Sequence, residues 1–471
     1  MDPSANGVVL RLRFYNGEEM MLSQMREVNL LLFITLPVVI FFGLLSGPLA
    51  EAGVKDALAQ YLTIRPTEED FAARAIMVYH IAAVIAMAAL LYLALVYVEH
   101  DKRLDPLIRA TALAGWLTAV PSGLVFAYFG RSAVAHGLWL VGLSLMFFAG
   151  LLFTASLSPL RISWGEKTLE RAVTFTVAVS LLGAVVMGAI YAAHLGFDEG
   201  VKIYILEEHS TREYRGLAPT STPLQLLATG HAHAAVALWA AAVMFIGMKW
   251  AKMWEWKPRL YKASLILTAV GVLVTLFGSA VVPVWRPIAH QIIFGGIGPL
   301  HLALFFLWLR LASMLKGGGW RDPVKLGLFL VPIWMVVFVT STGPMVASQL
   351  KTVRTLWPLE DEIAFNVAHW HMLAFVVASA MFLLLLDEFK GLARVVPGYL
   401  LVIGGTTALA GAFIYELSPM FSKGIVGVQL AAASASLKTR VLPIIDIGLT
   451  MSFMSFSLFT IFILLKKIGN N

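Results

Sequence analysis

The sequence contains no cysteine and few charged residues. Because none of its 471 residues is cysteine, it can form no disulfide, iron–sulfur cluster, thiolate-bound copper or covalently attached c-type haem. Charged residues make up only 13% of the chain and hydrophobic residues 59%, a balance typical of a polytopic membrane protein. The formal net charge of +7 is explained by basic loops beside an anionic membrane surface, which argues against a nucleic-acid-binding protein.

Apolar runs divide the chain into twelve predicted membrane-spanning helices. Each run has at least about 18 residues bounded by charge, proline or glycine. The predicted spans are 26–50, 71–99, 107–129, 132–157, 168–195, 223–250, 259–286, 289–315, 324–342, 361–386, 394–416 and 441–465. We therefore expect an all-α bundle in which residues 26–466 form one transmembrane domain between an N-terminal segment, 1–25, and a tail, 467–471.

Basic residues predict the orientation of this bundle. They concentrate in the loops after the even-numbered spans, for example Lys102, Arg161, Lys249, Arg321 and Lys390. The positive-inside rule places these loops, and with them both termini, in the cytoplasm. No cleavable signal peptide is expected, because the first apolar run is full length and follows a polar stretch.

Histidines recur in the spans that enter from the outer side. They are His80, His231 with His233, His301, and His369 with His371. Each lies about ten residues from the start of its span, so a rise of 1.5 Å per residue predicts one layer of imidazoles in the outer half of the membrane. A single histidine there could be a packing group bonded to a carbonyl. A whole layer favours ligands for haem iron, copper or non-haem iron.

The segment Ala368-His369-Trp370-His371 carries two histidines one residue apart. Residues at i and i+2 of an α-helix are separated by about 200°, so His369 and His371 point to opposite sides. Each can bind a different iron, and the segment therefore indicates a redox protein in which one helix holds two haems apart.

The longer segment 366–372, Asn-Val-Ala-His-Trp-His-Met, resembles the tenth-helix signature of the catalytic subunit of the haem–copper oxidase superfamily. The resemblance extends to the number of helices, the cytoplasmic termini and the order of ligands. It implies that His369 binds a high-spin haem, and that His371 and His80 are the axial ligands of a low-spin haem. It also implies an inner membrane of prokaryotic type.

A second metal, copper or non-haem iron, is implied by two weaker matches. His233 begins a sixth-helix segment similar to that of the C family of oxidases, and His290 lies in Trp-Arg-Pro-Ile-Ala-His-Gln at the outer end of the seventh span. The superfamily has an adjacent histidine pair at this point, but here the second residue is Gln291. Gln291, His231 or His301 could complete the site, although the i, i+2 spacing turns His231 away from His233. The alternative is that the second metal has been lost.

Haem propionates require cations near the outer surface. Lys438 and Arg440, just before the last predicted span, stand where the superfamily places its propionate-binding arginines. Arg286, Lys351 and Arg354 are further basic residues at that surface. For each of them the alternative is an interfacial side chain that reaches toward water.

The departures from the superfamily bear on the reaction. No tyrosine occurs in span 223–250 or in residues 279–285, where oxygen-reducing members carry a redox tyrosine, so NO is favoured over O2 as substrate. The glutamates typical of nitric oxide reductases are also missing from the sixth to eighth spans. Neither usual proton channel is evident, so we expect little or no proton pumping.

Three classes of function follow from the sequence. The first is a respiratory oxidoreductase in which a low-spin haem receives electrons from a quinol, a cytochrome or a second redox subunit, and a high-spin haem with a second metal reduces a small diatomic oxidant. The second is a dihaem electron-transfer subunit of a larger complex. The third, a transporter or channel, explains the helices and basic loops but not the histidines.

Overall fold

The computed structural model describes residues 71–129, 132–195, 223–348, 357–422 and 427–468. Regular structure in these ranges is entirely helical, and eleven of the helices are long and apolar enough to cross a membrane. The prediction of an all-α polytopic membrane protein is confirmed. The first predicted span, 26–50, lies outside the described residues.

The helices follow the predicted order of spans. They are α1 (Phe71–Tyr97), α2 (Asp105–Tyr128), α3 (Ala133–Ser156), α4 (Thr168–Leu195), α5 (Pro223–Trp250), α6 (Met253–Trp256), α7 (Pro258–Val281), α8 (Arg286–Met314), α9 (Pro323–Trp334), α10 (Thr342–Ser348), α11 (Leu359–Leu386), α12 (Leu392–Glu416), α13 (Ser418–Phe421) and α14 (Val428–Ile468).

The boundary between the seventh and eighth spans differs from the prediction. Helix α7 ends at Val281, and α8 begins at Arg286 with Pro287 in its first turn. Proline favours this position because it lacks the N–H that the first turn of a helix leaves unpaired. His290 and Gln291 therefore lie near the start of α8, within the predicted span 289–315, and not at the outer end of the seventh span where the resemblance placed them.

The last helix is longer than predicted. Helix α14 begins at Val428, thirteen residues before 441. Residues 428–440 contain several alanines, which favour helix, and polar groups that lower the hydropathy on which the predicted boundary depended. Lys438 and Arg440 accordingly lie on a helix and not in a loop before it.

The ninth span contains a change of helix type. Helix α9 passes into a π-helical turn at Met335–Thr340, and α10 follows at once. The N–H of Ser341 donates to the carbonyl of Val336 at 3.0 Å, a separation of five residues. Such turns are rare and frequently occur at functional sites, because the inserted residue changes the direction of the side chains that follow.

Small residues allow the helices to pack closely. A Cβ atom on Gly448 of α14 would collide with the backbone of Ala408 in α12, and one on Gly296 of α8 would collide with Thr275 in α7. In a membrane, van der Waals packing of this kind takes the place of the hydrophobic effect between helices. The main apolar core includes Leu238.

The connectivity gives the bundle two unlike ends. Helices α1, α3, α5, α8, α11 and α14 begin at the end that we call the histidine end, where His80, His231, His233, His290 and His369 lie. At the opposite end, which we call the charged end, the Lys249 ammonium lies 2.5 Å from Glu170 and the Arg394 guanidinium 2.7 Å from both Asp322 and Asp387.

Candidate functional site

The closest pairing of predicted ligands is that of His233 on α5 with His290 on α8. Their ring centroids are 5.3 Å apart and their planes are nearly perpendicular, at 88°. Two imidazoles on one ion, each about 2 Å from the metal, place their centroids roughly 5 Å apart at a tetrahedral angle. The edge of Trp370 packs against His233 at 5.5 Å. The pair therefore has a spacing that suits two ligands of a single ion.

A third ligand is not brought to this pair in the part of the chain that the structure describes, where no three His, Asp or Glu side chains converge as a metal site. The side chain of Gln291 is exposed. His301 is eleven residues beyond His290 on α8, which is roughly 16 Å along a helix. It therefore lies deeper than the single layer that the sequence predicts.

His301 uses both of its ring nitrogens in hydrogen bonds. Nδ1 donates to the carbonyl of Ile297 at 2.9 Å, and Nε2 lies 2.9 Å from the hydroxyl of Thr340. Because a carbonyl oxygen can only accept, neutral His301 carries its hydrogen on Nδ1. The one hydrogen of the Thr340 hydroxyl can then go either to Nε2 of His301 or to the carbonyl of Met335, which lies 3.0 Å away. This arrangement suits a proton relay better than metal ligation.

His231 faces away from His233 and toward His80, as the i, i+2 spacing requires. The rings of His80 and His231 are nearly parallel, at 11°, with centroids 6.5 Å apart. The Nδ1 atom of His231 donates to the carbonyl of Ala184 in α4 at 2.7 Å. The ring also packs on Gly188, where any Cβ atom would collide with it. His231 is thus held against α4 by its hydrogen bond to Ala184 and by the packing of its ring on Gly188.

His369 is oriented by three neighbours. Phe365 stacks on its ring at a centroid distance of 5.6 Å, and its Nδ1 lies 3.0 Å from the hydroxyl of Thr342. A Cβ atom on Gly343 would lie 3.9 Å from Cε1 of His369, in ordinary contact. The tautomer with hydrogen on Nδ1 leaves the Nε2 lone pair available to a metal, which is the usual arrangement of a metal-binding histidine.

The remaining predicted ligands of the haems, His371 and His80, have different surroundings. The side chain of His371 is exposed, whereas that of the next residue, Met372, is 3% exposed. This difference follows from the rotation of about 100° between neighbours on a helix. His80 contacts Trp139 edge to face at 5.9 Å in addition to His231.

The predicted propionate cations have different surroundings. Lys438 forms an ion pair with the buried carboxylate of Asp361 and lies over the ring of Tyr415 at 5.2 Å. Arg440 is exposed on α14. Arg354 and Lys351 lie outside the described residues, and the side chain of Arg286 is likewise not described. Of these cations, Arg440 is the one that the structure shows to be exposed to an incoming carboxylate.

Several residues of the site could not be identified from the sequence. Thr340 and Thr342 flank the end of the π-helical turn and contact His301 and His369 respectively. Ala184 contributes only a backbone carbonyl. Threonine and alanine are common in membrane helices, so their role becomes visible only when the rotation of each helix is known.

No family model, curated protein or solved structure matches this chain. The functional argument therefore depends on the sequence patterns and on the geometry of the histidine end.

Proposed function

We propose that this chain is a respiratory membrane oxidoreductase similar to the haem–copper oxidases. Its histidine end would hold two haems and a second metal, copper or non-haem iron, and would reduce a small diatomic oxidant, NO in preference to O2. The observation that carries the proposal is the pairing of His233 with His290 at 5.3 Å, beside a His369 ring whose Nδ1 is already engaged by Thr342.

The donor set fits the proposed groups in chemical type. Neutral imidazoles held through Nδ1 present Nε2 to iron, and His369 has this arrangement. His369 would hold the high-spin haem, and His80 and His371 the low-spin haem, as the resemblance implies. Bound haem iron supplies one-electron transfer and a coordination position for a diatomic molecule.

The residues of the chain have three tasks in this proposal. Trp370 packs against His233 and keeps the histidine pair facing α11. Buried Met372 and Val376 exclude water below the site. His301 and Thr340 can exchange a proton through their 2.9 Å contact. Electrons would come from a quinol, a cytochrome or a second redox subunit, and we expect no efficient proton pumping.

The first test is haem and metal quantification on the purified chain, with reduced-minus-oxidised and CO-difference spectra of the same sample. The proposal expects two haems, one of which binds CO, and one copper or non-haem iron per chain. A chain that contains no haem would refute it. Activity would then be measured with NO and with O2.

A second candidate function is a dihaem electron-transfer subunit that passes electrons to a partner enzyme. It is favoured by two observations: the side chain of Gln291 is exposed, and His301 lies deeper in the membrane than His290. Among the described residues, the site then has the pair His233 and His290, whereas a catalytic metal needs at least one further protein ligand. Two haems without CO binding and without a third metal would select this candidate.

A further inference from the structure

Arg310, near the end of α8, is a half-buried arginine with no carboxylate partner in the described part of the chain. Other half-buried arginines at the charged end each contact a carboxylate: Arg109, Arg171 and Arg394. A cation that is partly removed from water is costly unless a negative charge accompanies it. Arg310 therefore calls for an anion that is not among these residues.

Two contacts fix the orientation of the Arg310 guanidinium. Its Nε donates to the carbonyl of Ala251 at 2.8 Å, and its Nη1 lies 3.4 Å from the hydroxyl of Ser313. A guanidinium has five N–H donors in a rigid plane. Its Nη2 atom has no hydrogen-bond partner among the described residues. The group is thus held in place with two hydrogens of Nη2 available to a ligand.

A second cation lies beside the same aromatic ring as Arg310. The Lys257 ammonium is 4.8 Å from the ring centroid of Trp256, and the central carbon of the Arg310 guanidinium is 5.8 Å from it. Lys257 is exposed and has no ion pair within the described ranges. Attraction to the ring face holds each cation, but the two positive charges repel each other unless an anion neutralises them.

The depth of these cations indicates the source of the anion. Ala251, to which Arg310 is hydrogen-bonded, directly follows the apolar span Gly230–Trp250, and Lys257 directly precedes α7. Arg310 itself lies four residues before the end of the span Ile288–Met314. The two cations therefore lie at the level where three helices reach the membrane surface. Phospholipid headgroups occupy this level, and tryptophan is favoured there.

We propose that Arg310, Lys257 and Trp256 form a binding site for the phosphate of an anionic phospholipid. The guanidinium donates to the phosphate oxygens through Nη2, and the ammonium contributes the second positive charge. The Trp256 ring keeps both cations at the depth of the headgroup. A free phosphate has the same oxygens, but it has no acyl chains to hold it at this depth. The site lies at the charged end and does not depend on the proposed redox function.

The test measures lipid binding to the full chain in detergent by native mass spectrometry. The probes are phosphatidylglycerol and phosphatidylcholine with identical acyl chains, together with inorganic phosphate. We expect the chain to bind phosphatidylglycerol in preference to the other two. Arg310→Gln should weaken this binding at least about 10-fold, because a charge-assisted hydrogen bond is lost. Lys257→Gln should weaken it about 5-fold, because one positive charge near the headgroup is lost.

Lys252→Gln is the matched control. Lys252 is an exposed lysine between α5 and α7, 3.9 Å from Glu255, and this variant loses the same charge as Lys257→Gln. Its binding of phosphatidylglycerol should equal that of the unchanged chain. An equal loss in Lys252→Gln and Lys257→Gln would overturn the inference, because general surface charge would then explain the binding. Phosphatidylcholine or inorganic phosphate bound as tightly as phosphatidylglycerol would also overturn it. If Arg310→Gln does not fold, the comparison of the two lysine variants decides.

Discussion

The two ends of the bundle satisfy their polar groups in different ways. At the charged end, cations and carboxylates pair with one another, as Arg394 does with Asp322 and Asp387. At the histidine end, His231 and His369 are held by a backbone carbonyl and a threonine hydroxyl through Nδ1. A completed ion pair has no capacity left for a ligand, whereas an imidazole held by one nitrogen keeps the other for a metal.

This difference suggests that stability and chemistry are separated along the membrane normal. Substitutions at the charged end should lower the free energy of unfolding without altering a bound haem. Substitutions at the histidine end should alter haem or metal binding with a smaller effect on unfolding. The following four experiments test this difference between the two ends.

The largest expected effect is the loss of a haem. His369→Ala and His371→Ala should each leave about one haem per chain, the low-spin one and the high-spin one respectively, because each removes an axial ligand. Haem content and absorption spectra measure the change. His136→Ala is the control, since His136 is an exposed histidine at the same end that stacks on Trp139.

One outcome would change the assignment of the low-spin haem ligands. If His371→Ala kept both haems and His231→Ala lost the low-spin one, the partner of His80 would be on α5 and not on α11. The nearly parallel rings of His80 and His231 make this a well-defined alternative result.

The next effect is on stability at the charged end. Arg394→Met should destabilise the chain by about 2–4 kcal/mol, because Asp322 and Asp387 lose their shared partner. The loss of unfolding free energy should be smaller than that for a fully buried charge, since the three side chains are 19–27% exposed. Unfolding in detergent measures it. Lys252→Met, which removes a 62% exposed partner at 3.9 Å, should cost about 0.5 kcal/mol or less. A haem spectrum altered by Arg394→Met would contradict the separation of the two ends.

A smaller effect on stability is expected at Gly188, on which the ring of His231 packs. Gly188→Ala should cost about 1–3 kcal/mol, because the new methyl group collides with the His231 ring and forces it to move. Thermal unfolding and the haem spectrum should both change. Gly183→Ala, on the same helix, would meet Leu276 at an ordinary 3.6 Å and should be neutral or slightly stabilising. Equal effects of the two substitutions would show that His231 is not held as described.

The smallest effect is a pH dependence at the charged end. Partial desolvation of its carboxyl, with a contribution from the charge of Asp387, raises the pKa of Glu388 despite its hydrogen bond from Tyr92, although the residue as a whole is exposed. The folded chain therefore keeps this proton to higher pH than the unfolded chain. Stability should fall as the pH rises from the ordinary carboxyl value, about 4.3, through the raised pKa. Glu388→Gln should remove this decrease in unfolding experiments between acidic and neutral pH.

Glu99 should give a pH dependence of stability with the opposite sign. The hydrogen bond from Lys167, together with the charges of Lys167 and Arg171, lowers the pKa of Glu99. Its contribution to stability is present above the ordinary carboxyl value and is lost as the pH falls through the lowered one. The effect of Glu99→Gln should be weak, since this side chain is 49% exposed. Identical pH profiles for the two variants would contradict both assignments.

Helix positions were predictable from the sequence because hydropathy is averaged over about 20 residues. Errors appeared where a boundary depends on single residues, such as Pro287 at the start of α8 and the alanines that extend α14 to Val428. The contact between His233 and His290 could be anticipated only as a resemblance. The role of Thr342 could not, because a threonine does not indicate metal binding.

The sequence by itself determined that this is an all-helical membrane protein rich in histidines at one side, since both properties are local. The tertiary structure decided which imidazoles face one another and which nitrogen each of them offers. These features depend on the rotation of each helix, and one residue changes that rotation by about 100°. His369 and Thr342 come from two helices, so only their packing brings them together.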